Sequence, residues 1–265
     1  MEKKVILISI DGARADAMHL CGNPYVKTLE QLCTYNYNSQ AVLPSDTFPC
    51  HYSMTHGQTP DRHGIKSNNY VKPENPTPGI FETVRKAGGS TGMFYNWDYL
   101  RDLATPGSYT FSFCLNIDYD DLSDTAVTDH CLMAIDRYHP DFVMLYLLDL
   151  DEKGGHSKGW MSEEYLRRLS IAIDNVKRVI EAYGHEYSIV ITADHGGHGY
   201  GHGSAAPEDM TIPLYLYGPD FEPGKTVENT SLIDITPTIA AVMGIEPHPE
   251  WDGRSLINRI CESTK

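Results

Sequence analysis

The stretch Ala193-Asp194-His195-Gly196-Gly197-His198-Gly199-Tyr200-Gly201-His202-Gly203 follows directly on the apolar run Ser188-Ile189-Val190-Ile191-Thr192. The run, rich in β-branched residues, predicts a buried strand. Asp and His are metal-ligand types, and glycine lets the backbone fold closely around an ion. A glycine-rich surface turn would explain one spare histidine, but an aspartate and three histidines together favour a metal-binding loop at the end of this strand.

The composition is that of an ordinary globular domain, with 265 residues of which 41% are hydrophobic and 22% charged. The formal net charge of −15 argues against a nucleic-acid-binding or anionic-membrane surface, because both need basic patches. No apolar run approaches the roughly 20 residues that span a bilayer. The first ten residues do not resemble a signal peptide, and the six cysteines lack CxxC spacing. We therefore expect reduced thiols and a cytoplasmic location.

Apolar runs alternate with helix-length segments along the chain. Strands are predicted at 5–10, 90–95, 109–117, 142–148, 187–193 and 212–217. Helices are predicted at 24–35, 78–87, 96–103, 122–138 and 163–183, with a last one ending near Gly244. This alternation predicts an α/β fold with a mostly parallel central sheet and helices on both faces. Because no linker, repeat or low-complexity tract is visible, we expect a single domain over residues 1–265.

Acidic residues and histidines follow three of the predicted strands. They are Asp11, then Asp149 and Asp151 with His156, then Asp194 and His195 with His202. The carboxyl ends of parallel strands share one edge of a sheet, where ligands bind. Carboxylates mixed with imidazoles suit Zn²⁺ or Mn²⁺, whereas Ca²⁺ prefers oxygen ligands alone. Six ligands are too many for one tetrahedral zinc and suit two ions about 4 Å apart, an arrangement used for phosphoryl transfer.

Thr47 precedes Pro49, a residue that suits the first turn of a helix. The threonine is therefore expected at or just before a helix N-terminus, in a partly positive field beside unpaired N–H groups. By itself it would be explained as an N-cap. Beside a metal site it would supply a nucleophile that a metal could deprotonate.

These motifs, in this order, resemble the alkaline phosphatase superfamily and, within it, the type I phosphodiesterase/nucleotide pyrophosphatase group. The matching segments are Ile8-Ser9-Ile10-Asp11-Gly12, Leu43-Pro44-Ser45-Asp46-Thr47-Phe48-Pro49, His63-Gly64-Ile65 with Asn68, Asp151 with Gly155-His156, Ala193-Asp194-His195-Gly196, and His202-Gly203. The resemblance spans nearly the whole chain and implies an alkaline phosphatase-like fold. It also implies two divalent metal ions, with Zn²⁺ favoured over Mn²⁺.

The resemblance further implies a role for each matching residue. One ion would be held by Asp11, Asp194 and His195 and would also bind the oxygen of Thr47; the other would be held by Asp151, His156 and His202. Thr47 would attack phosphorus and form a phospho-threonine, which water activated on the second ion would hydrolyse. Asn68 and the Thr47 N–H would donate hydrogen bonds to non-bridging phosphate oxygens.

Two departures from the family pattern leave alternatives open. Asp151 is separated from Gly155-His156 by three residues where the family has two, so Asp149 or Glu152 could be the ligand instead. We favour Asp151. His198 competes with His202, and we prefer His202 because a more distant histidine can reach the other ion. The Cys-x-Pro-x-Arg motif of sulfatases is absent from the sequence.

The predicted activity is hydrolysis of small-molecule phosphoric esters, with diesters or pyrophosphates preferred because Asn68 is a neutral phosphate ligand and monoesters usually require a cation. The alternatives are a phosphomonoesterase, a phosphonoacetate-type C–P hydrolase, or a metal-binding domain without catalysis. We expect the segments 71–79 and 96–116 to shape the substrate pocket. The sequence does not predict an oligomeric state.

Overall fold

The computed structural model describes residues 1–73, 76–116 and 121–257. Its strands form one seven-stranded sheet. They are β1 (Lys4–Ile10), β2 (Thr34–Gln40), β3 (Thr91–Tyr95), β4 (Phe111–Cys114), β5 (Phe142–Leu147), β6 (Tyr187–Thr192) and β7 (Thr211–Tyr217). The spatial order is β2-β7-β6-β1-β5-β3-β4.

Parallel pairing dominates the sheet. β1 pairs in parallel with both β5 and β6, and β3 pairs in parallel with β4 and β5. β7 runs antiparallel to β6 and to β2. The three central strands are apolar along almost their whole length and are buried on both faces, as covered parallel strands are. The mostly parallel sheet expected from the sequence is confirmed.

The helices pack in two groups on the sheet. They are α1 (Ala17–Leu20), α2 (Tyr25–Leu32), α3 (Thr47–His56), α4 (Pro60–His63), α5 (Ile80–Lys86), α6 (Ser123–Tyr138), α7 (Glu163–Tyr183), α8 (Pro207–Met210) and α9 (Ile235–Val242). In one group α1, α2 and α6 contact α7; in the other α3, α5 and α9 contact one another. The expected helices on both faces are confirmed.

Some sequence expectations differ from the structure. The helix predicted at 24–35 ends at Leu32, and the chain continues as edge strand β2, which the sequence analysis missed. The strand predicted at 109–117 is shorter, Phe111–Cys114, and Ile117 lies outside the described residues. The short helix predicted at 96–103 is a 3₁₀ turn at Asp98–Asp102.

Two further expectations concern the cysteines and membrane-spanning helices. Cys21, Cys33, Cys50, Cys114 and Cys131 are free thiols, and Cys261 lies outside the described part of the chain. Among the described residues, no helix combines the length and the apolar character needed to cross a bilayer.

Candidate metal centre

The ends of β1 and β6 bring Asp11, Asp194 and His195 together in the interior, with all three side chains fully buried. His195 Nε2 lies 3.3 Å from Asp11 Oδ1 and 3.3 Å from Asp194 Oδ2. The N–H of Gly12 donates to Asp194 Oδ1 at 3.1 Å and so ties the two strand ends together. Gly12 has a φ of +67°, and a Cβ there would lie 2.7 Å from Asp151 Oδ1. Only glycine fits this turn without strain.

A second group lies beside the first. Candidate ligand atoms of Asp151, His195 and His202 all lie within 4.8 Å of one another, as do those of Asp11, Asp194 and His195. The rings of His195 and His202 stack with centroids 3.8 Å apart. His156 is adjacent, with its Nε2 3.4 Å from Asp151 Oδ2 and its ring centroid 5.1 Å from that of His202. The structure therefore brings the acidic residues and histidines expected as metal ligands into one cluster.

Each of the three histidines presents Nε2 to this cluster, because backbone carbonyls fix the other nitrogen. The Nδ1 atoms of His195, His156 and His202 donate to the carbonyl oxygens of Gly196 at 2.7 Å, Tyr200 at 2.9 Å and Ser45 at 2.9 Å. A carbonyl only accepts, so Nδ1 carries the proton and Nε2 keeps its lone pair. Such outer hydrogen bonds are typical of metal-ligating histidines.

The carboxylates provide a test of whether cations fit the cluster. Asp11 Oδ1, Asp151 Oδ1 and Asp194 Oδ2 are buried and have no hydrogen-bond partner. Burial raises the pKa of all three carboxyls, to about 7 for Asp194, and neighbouring carboxylates raise the pKa of Asp11 and Asp151 further. An unpaired buried carboxylate is costly, and a divalent cation relieves both the desolvation and the mutual repulsion. The donor set fits divalent metal ions.

The extra residue between Asp151 and His156 has a structural counterpart. Leu150–His156 forms a π-helical segment. A π-turn closes i→i+5 and therefore holds one residue more than an α-helical turn. A Cβ on Gly155 would lie 2.6 Å from the Trp160 ring, so the close packing of this turn also requires glycine. The π-turn accommodates the extra residue, and the side chains of Asp151 and His156 remain in contact.

Asp149 and Glu152, the two alternative acidic ligands, have different surroundings from Asp151. Asp149 accepts hydrogen bonds from Ser123 Oγ at 2.6 Å and from the N–H of Asp124 at 3.1 Å. Its Oδ1 also lies 2.7 Å from Lys153 Nζ, and Glu152 is exposed. These contacts favour Asp151 over both alternatives.

His198 lies outside the cluster. Its Nδ1 lies 2.7 Å from Asp209 Oδ1, and its side chain is 54% exposed. The buried Asp209 carboxylate raises the pKa of His198, so this histidine already has an anionic partner. This geometry favours His202 over His198 as a ligand.

Thr47 is the first residue of α3, as expected, and its side chain is buried. Its Oγ1 lies 3.2 Å from His195 Nε2. Asn68 Oδ1 accepts the N–H of Phe48 at 2.9 Å. That bond identifies Nδ2 as the end of the Asn68 amide that remains as a donor.

Sequence reasoning missed two buried polar side chains beneath this cluster. Tyr146 donates its hydroxyl to Asp11 Oδ2. His51 Nδ1 donates to the Thr47 carbonyl at 2.7 Å, and its Nε2 accepts from Ser9 Oγ at 2.9 Å. Burial lowers the pKa of His51 to about 3, so its ring is neutral. The sequence signal for Tyr146 is its hydroxyl in an otherwise apolar strand; the parallel register, which pairs it with Ser9 and brings it near Asp11, is known only from the structure.

We expect the metal-free Asp194→Asn variant to be more stable than the wild-type protein at pH 8. The pKa of Asp194 is raised from 3.8 to about 7 on folding. Below pH 4 the acid is protonated in both states and costs nothing. The penalty develops between pH 4 and 7, reaching roughly 4 kcal/mol at about 1.4 kcal/mol per pKa unit. Urea unfolding of both proteins in the presence of a chelator, from pH 4 to 8, measures the difference.

Added Zn²⁺ is expected to reverse the order at pH 8, because the wild-type carboxylate then gains its cation. If the difference in unfolding free energy between the two metal-free proteins did not grow with pH, the raised pKa assigned to Asp194 would be wrong.

Comparison with known proteins identifies the family. The family model described as type I phosphodiesterase / nucleotide pyrophosphatase matches residues 5–202. Ectonucleotide pyrophosphatase/phosphodiesterase family member 1 from Rattus norvegicus is 39% identical over 182 residues, covering 62% of this chain and 20% of that protein. The chain thus spans about a fifth of the length of this relative.

Two solved structures share the fold. An inactive threonine-to-alanine variant of murine ectonucleotide pyrophosphatase/phosphodiesterase 5, in complex with AMP, superposes with a TM-score of 0.80 at 15% identity, covering 94% of this chain and 96% of that chain. The phosphonate monoester hydrolase SpPMH from Silicibacter pomeroyi gives a TM-score of 0.77 at 18% identity, covering 98% and 77%. The expected alkaline phosphatase-like fold is confirmed. Since the family model covers most of the chain, the protein belongs to the type I phosphodiesterase/nucleotide pyrophosphatase family.

Proposed function

We propose that this protein is a metal-dependent hydrolase of phosphoric esters that uses Thr47 as its nucleophile and prefers diesters or pyrophosphates. One observation carries the proposal. The Thr47 hydroxyl stands at a helix N-terminus, 3.2 Å from His195 Nε2, beside three buried carboxylate oxygens without hydrogen-bond partners. A hydroxyl, a cluster of metal ligands and the N–H of Thr47 at the helix start are parts that phosphoryl transfer can use.

Two divalent ions are proposed, most simply Zn²⁺, with Mn²⁺ as the alternative. Asp11, Asp194 and His195 would hold one ion; Asp151, His156 and His202 would hold the other. When bound, such ions lower the pKa of hydroxyl groups and water and neutralise charge on phosphate oxygens. The orphaned carboxylate oxygens and the Nε2 lone pairs support this assignment.

The side chains and backbone around Thr47 support an in-line attack on phosphorus. Thr47 Oγ1 would form a bond to phosphorus and give up its proton to solvent, while the bond to the leaving oxygen breaks and its electron pair stays on that oxygen. The product is a phospho-threonine, and water then cleaves it and restores the hydroxyl. At the start of α3 the Thr47 N–H has no intrahelical acceptor, and Asn68 Nδ2 is a second donor for the phosphate oxygens.

The positions of Arg14 and Arg62 support a preference for diesters. Arg14 pairs with Asp16 and donates to the carbonyl of Gly197. Arg62 pairs with Glu250 and Asp252 on the surface. A monoester carries one more negative charge than a diester and usually requires a cationic side chain such as arginine. These two arginines are held elsewhere by their partners.

A cavity of about 830 Å³ beside α3 supports the proposal that a second phosphate substituent is accommodated. Tyr52 and Tyr70 line it, and the Tyr70 ring packs on Phe48, next to Thr47, with centroids 6.1 Å apart. The rest of its wall comes mostly from residues 72–78 and 101–109, with 74–75 outside the described residues. Both segments that the sequence analysis assigned to the substrate pocket therefore border one cavity. Arg101 is part of its lining.

We expect kcat/KM for bis-p-nitrophenyl phosphate to exceed that for p-nitrophenyl phosphate by at least about tenfold, the equivalent of one missing charge-assisted hydrogen bond. Purified protein reconstituted with Zn²⁺ and the Thr47→Ala variant would be assayed side by side, so that contaminating phosphatases are detected. Equal or better monoester turnover would favour the phosphomonoesterase alternative. Turnover of phosphonoacetate alone would favour the C–P hydrolase, and metal binding without any turnover would favour a non-catalytic domain.

The remaining features of the proposal concern organisation and location. We propose one catalytic domain over residues 1–265, supported by the single sheet. A cytoplasmic location is supported by the free thiols of the five described cysteines.

A further inference from the structure

Tyr146 is a fully buried tyrosine near the end of β5, a strand that is otherwise apolar. Its hydroxyl donates to Asp11 Oδ2. Packing alone does not explain the hydroxyl, because a phenylalanine ring would fill the same space without a polar group to bury. The hydroxyl therefore points to a function at Asp11.

The hydrogen bond distinguishes the two oxygens of the Asp11 carboxylate. Oδ2 is occupied by Tyr146, while Oδ1 is the oxygen without a partner. Oδ1 is also the oxygen that lies 3.3 Å from His195 Nε2, in the cluster with Asp194. A carboxylate held at one oxygen presents the other in a fixed direction.

The ring of Tyr146 is held in turn by its neighbours. The ring of His51 packs edge-on against it, with centroids 5.0 Å apart and planes at 78°. His51 is fixed by its hydrogen bonds to Ser9 and to the Thr47 carbonyl. Tyr146 and His51 therefore form one buried layer. It contacts Asp11 through Tyr146 and Thr47 through His51.

We propose that Tyr146 is a positioning residue for the metal ion at Asp11, Asp194 and His195, holding the Asp11 carboxylate so that Oδ1 faces the ion. The proposal rests on the two-metal site put forward above. The tyrosine does not touch the substrate; it acts through Asp11, and the quantity it controls directly is metal affinity.

The test compares Tyr146→Phe with Tyr187→Phe. Tyr187 is also fully buried on a central strand and donates its hydroxyl to the Pro140 carbonyl at 2.7 Å, away from the cluster. Competition with a chromogenic chelator measures Zn²⁺ affinity, and visible absorption of the Co²⁺-substituted protein reports ligand geometry. We expect Tyr146→Phe to weaken the binding of one of the two Zn²⁺ ions by about 10- to 100-fold, which is the range for loss of an outer hydrogen bond. The substitution should also change the Co²⁺ spectrum. Tyr187→Phe should do neither.

Thermal unfolding in chelator checks that both variants fold. Wild-type affinity for both ions in Tyr146→Phe would overturn the proposal, as would an equal loss of affinity in Tyr187→Phe. If the wild-type protein itself binds no Zn²⁺, the two-metal site is wrong, and that outcome is distinct from a working site that is insensitive to Tyr146→Phe.

Discussion

Replacing Thr47 with alanine is expected to lower kcat for bis-p-nitrophenyl phosphate by on the order of 10⁴-fold or more, as loss of a nucleophile does in hydrolases that form covalent intermediates. The variant removes the hydroxyl that lies 3.2 Å from His195 Nε2 and leaves the carboxylates and histidines unchanged. Its metal content should therefore equal that of the wild-type protein. Steady-state kinetics on protein with two equivalents of Zn²⁺, together with metal analysis, measure both quantities.

Two variants control for this result. Thr47→Ser keeps a hydroxyl at the same position and should remain clearly active. Thr55→Ala removes another buried threonine hydroxyl of α3, one that donates to the His51 carbonyl at 2.8 Å. It should keep turnover within about tenfold, since its hydroxyl contacts the helix backbone and His56 Nδ1 but none of the proposed metal ligands. Wild-type hydrolysis by Thr47→Ala would show that the nucleophile lies elsewhere.

Asp151→Asn should remove one of two bound metal ions and lower kcat/KM by at least about 10²-fold, because several kcal/mol of charge stabilisation is lost with the ion. Asp151 Oδ1 is buried without a partner, and Gly12 and His156 lie against this side chain. An asparagine would offer a neutral oxygen in place of a carboxylate. Metal content measured after dialysis, alongside kinetics, tests this expectation.

Asp149→Asn is the matched control, two residues away. The carboxylate oxygens of Asp149 already interact with Ser123, Asp124 and Lys153. Its substitution should lower the free energy of unfolding, since a buried hydrogen-bond network loses its negative charge, while both ions stay bound. Loss of an ion from Asp149→Asn but not from Asp151→Asn would reverse the ligand assignment.

The central part of the fold could be predicted because its signals are local. Strands buried on both faces appear as continuous apolar runs, and β1, β5 and β6 are such runs. Edge strand β2 could not be found in this way, because its sequence Thr-Tyr-Asn-Tyr-Asn-Ser-Gln is polar. It is a strand only because it pairs with β7, a contact that propensity does not report. The predicted end of the helix at Tyr35 was wrong for the same reason, although the helix itself is present at Tyr25–Leu32.

The candidate site likewise contains residues that could be predicted from the sequence and residues that could not. Asp11, Asp194 and His195 follow strand ends directly, so the parallel sheet brings them together. The competition between Asp151 and Asp149 could not be resolved by spacing, because a π-turn changes which residues share a face. Tyr146 and His51 were missed because each lies in a segment that is otherwise core, and their polar atoms have meaning only once the neighbouring strand and helix are placed.

The most direct measurement is a crystal structure with anomalous scattering recorded at the zinc edge. The two-metal account predicts two zinc peaks about 4 Å apart. One should lie among Asp11, Asp194 and His195, and the other should lie near Asp151, His156 and His202. A single peak, or a peak on His198 with none beside Asp151, would contradict it.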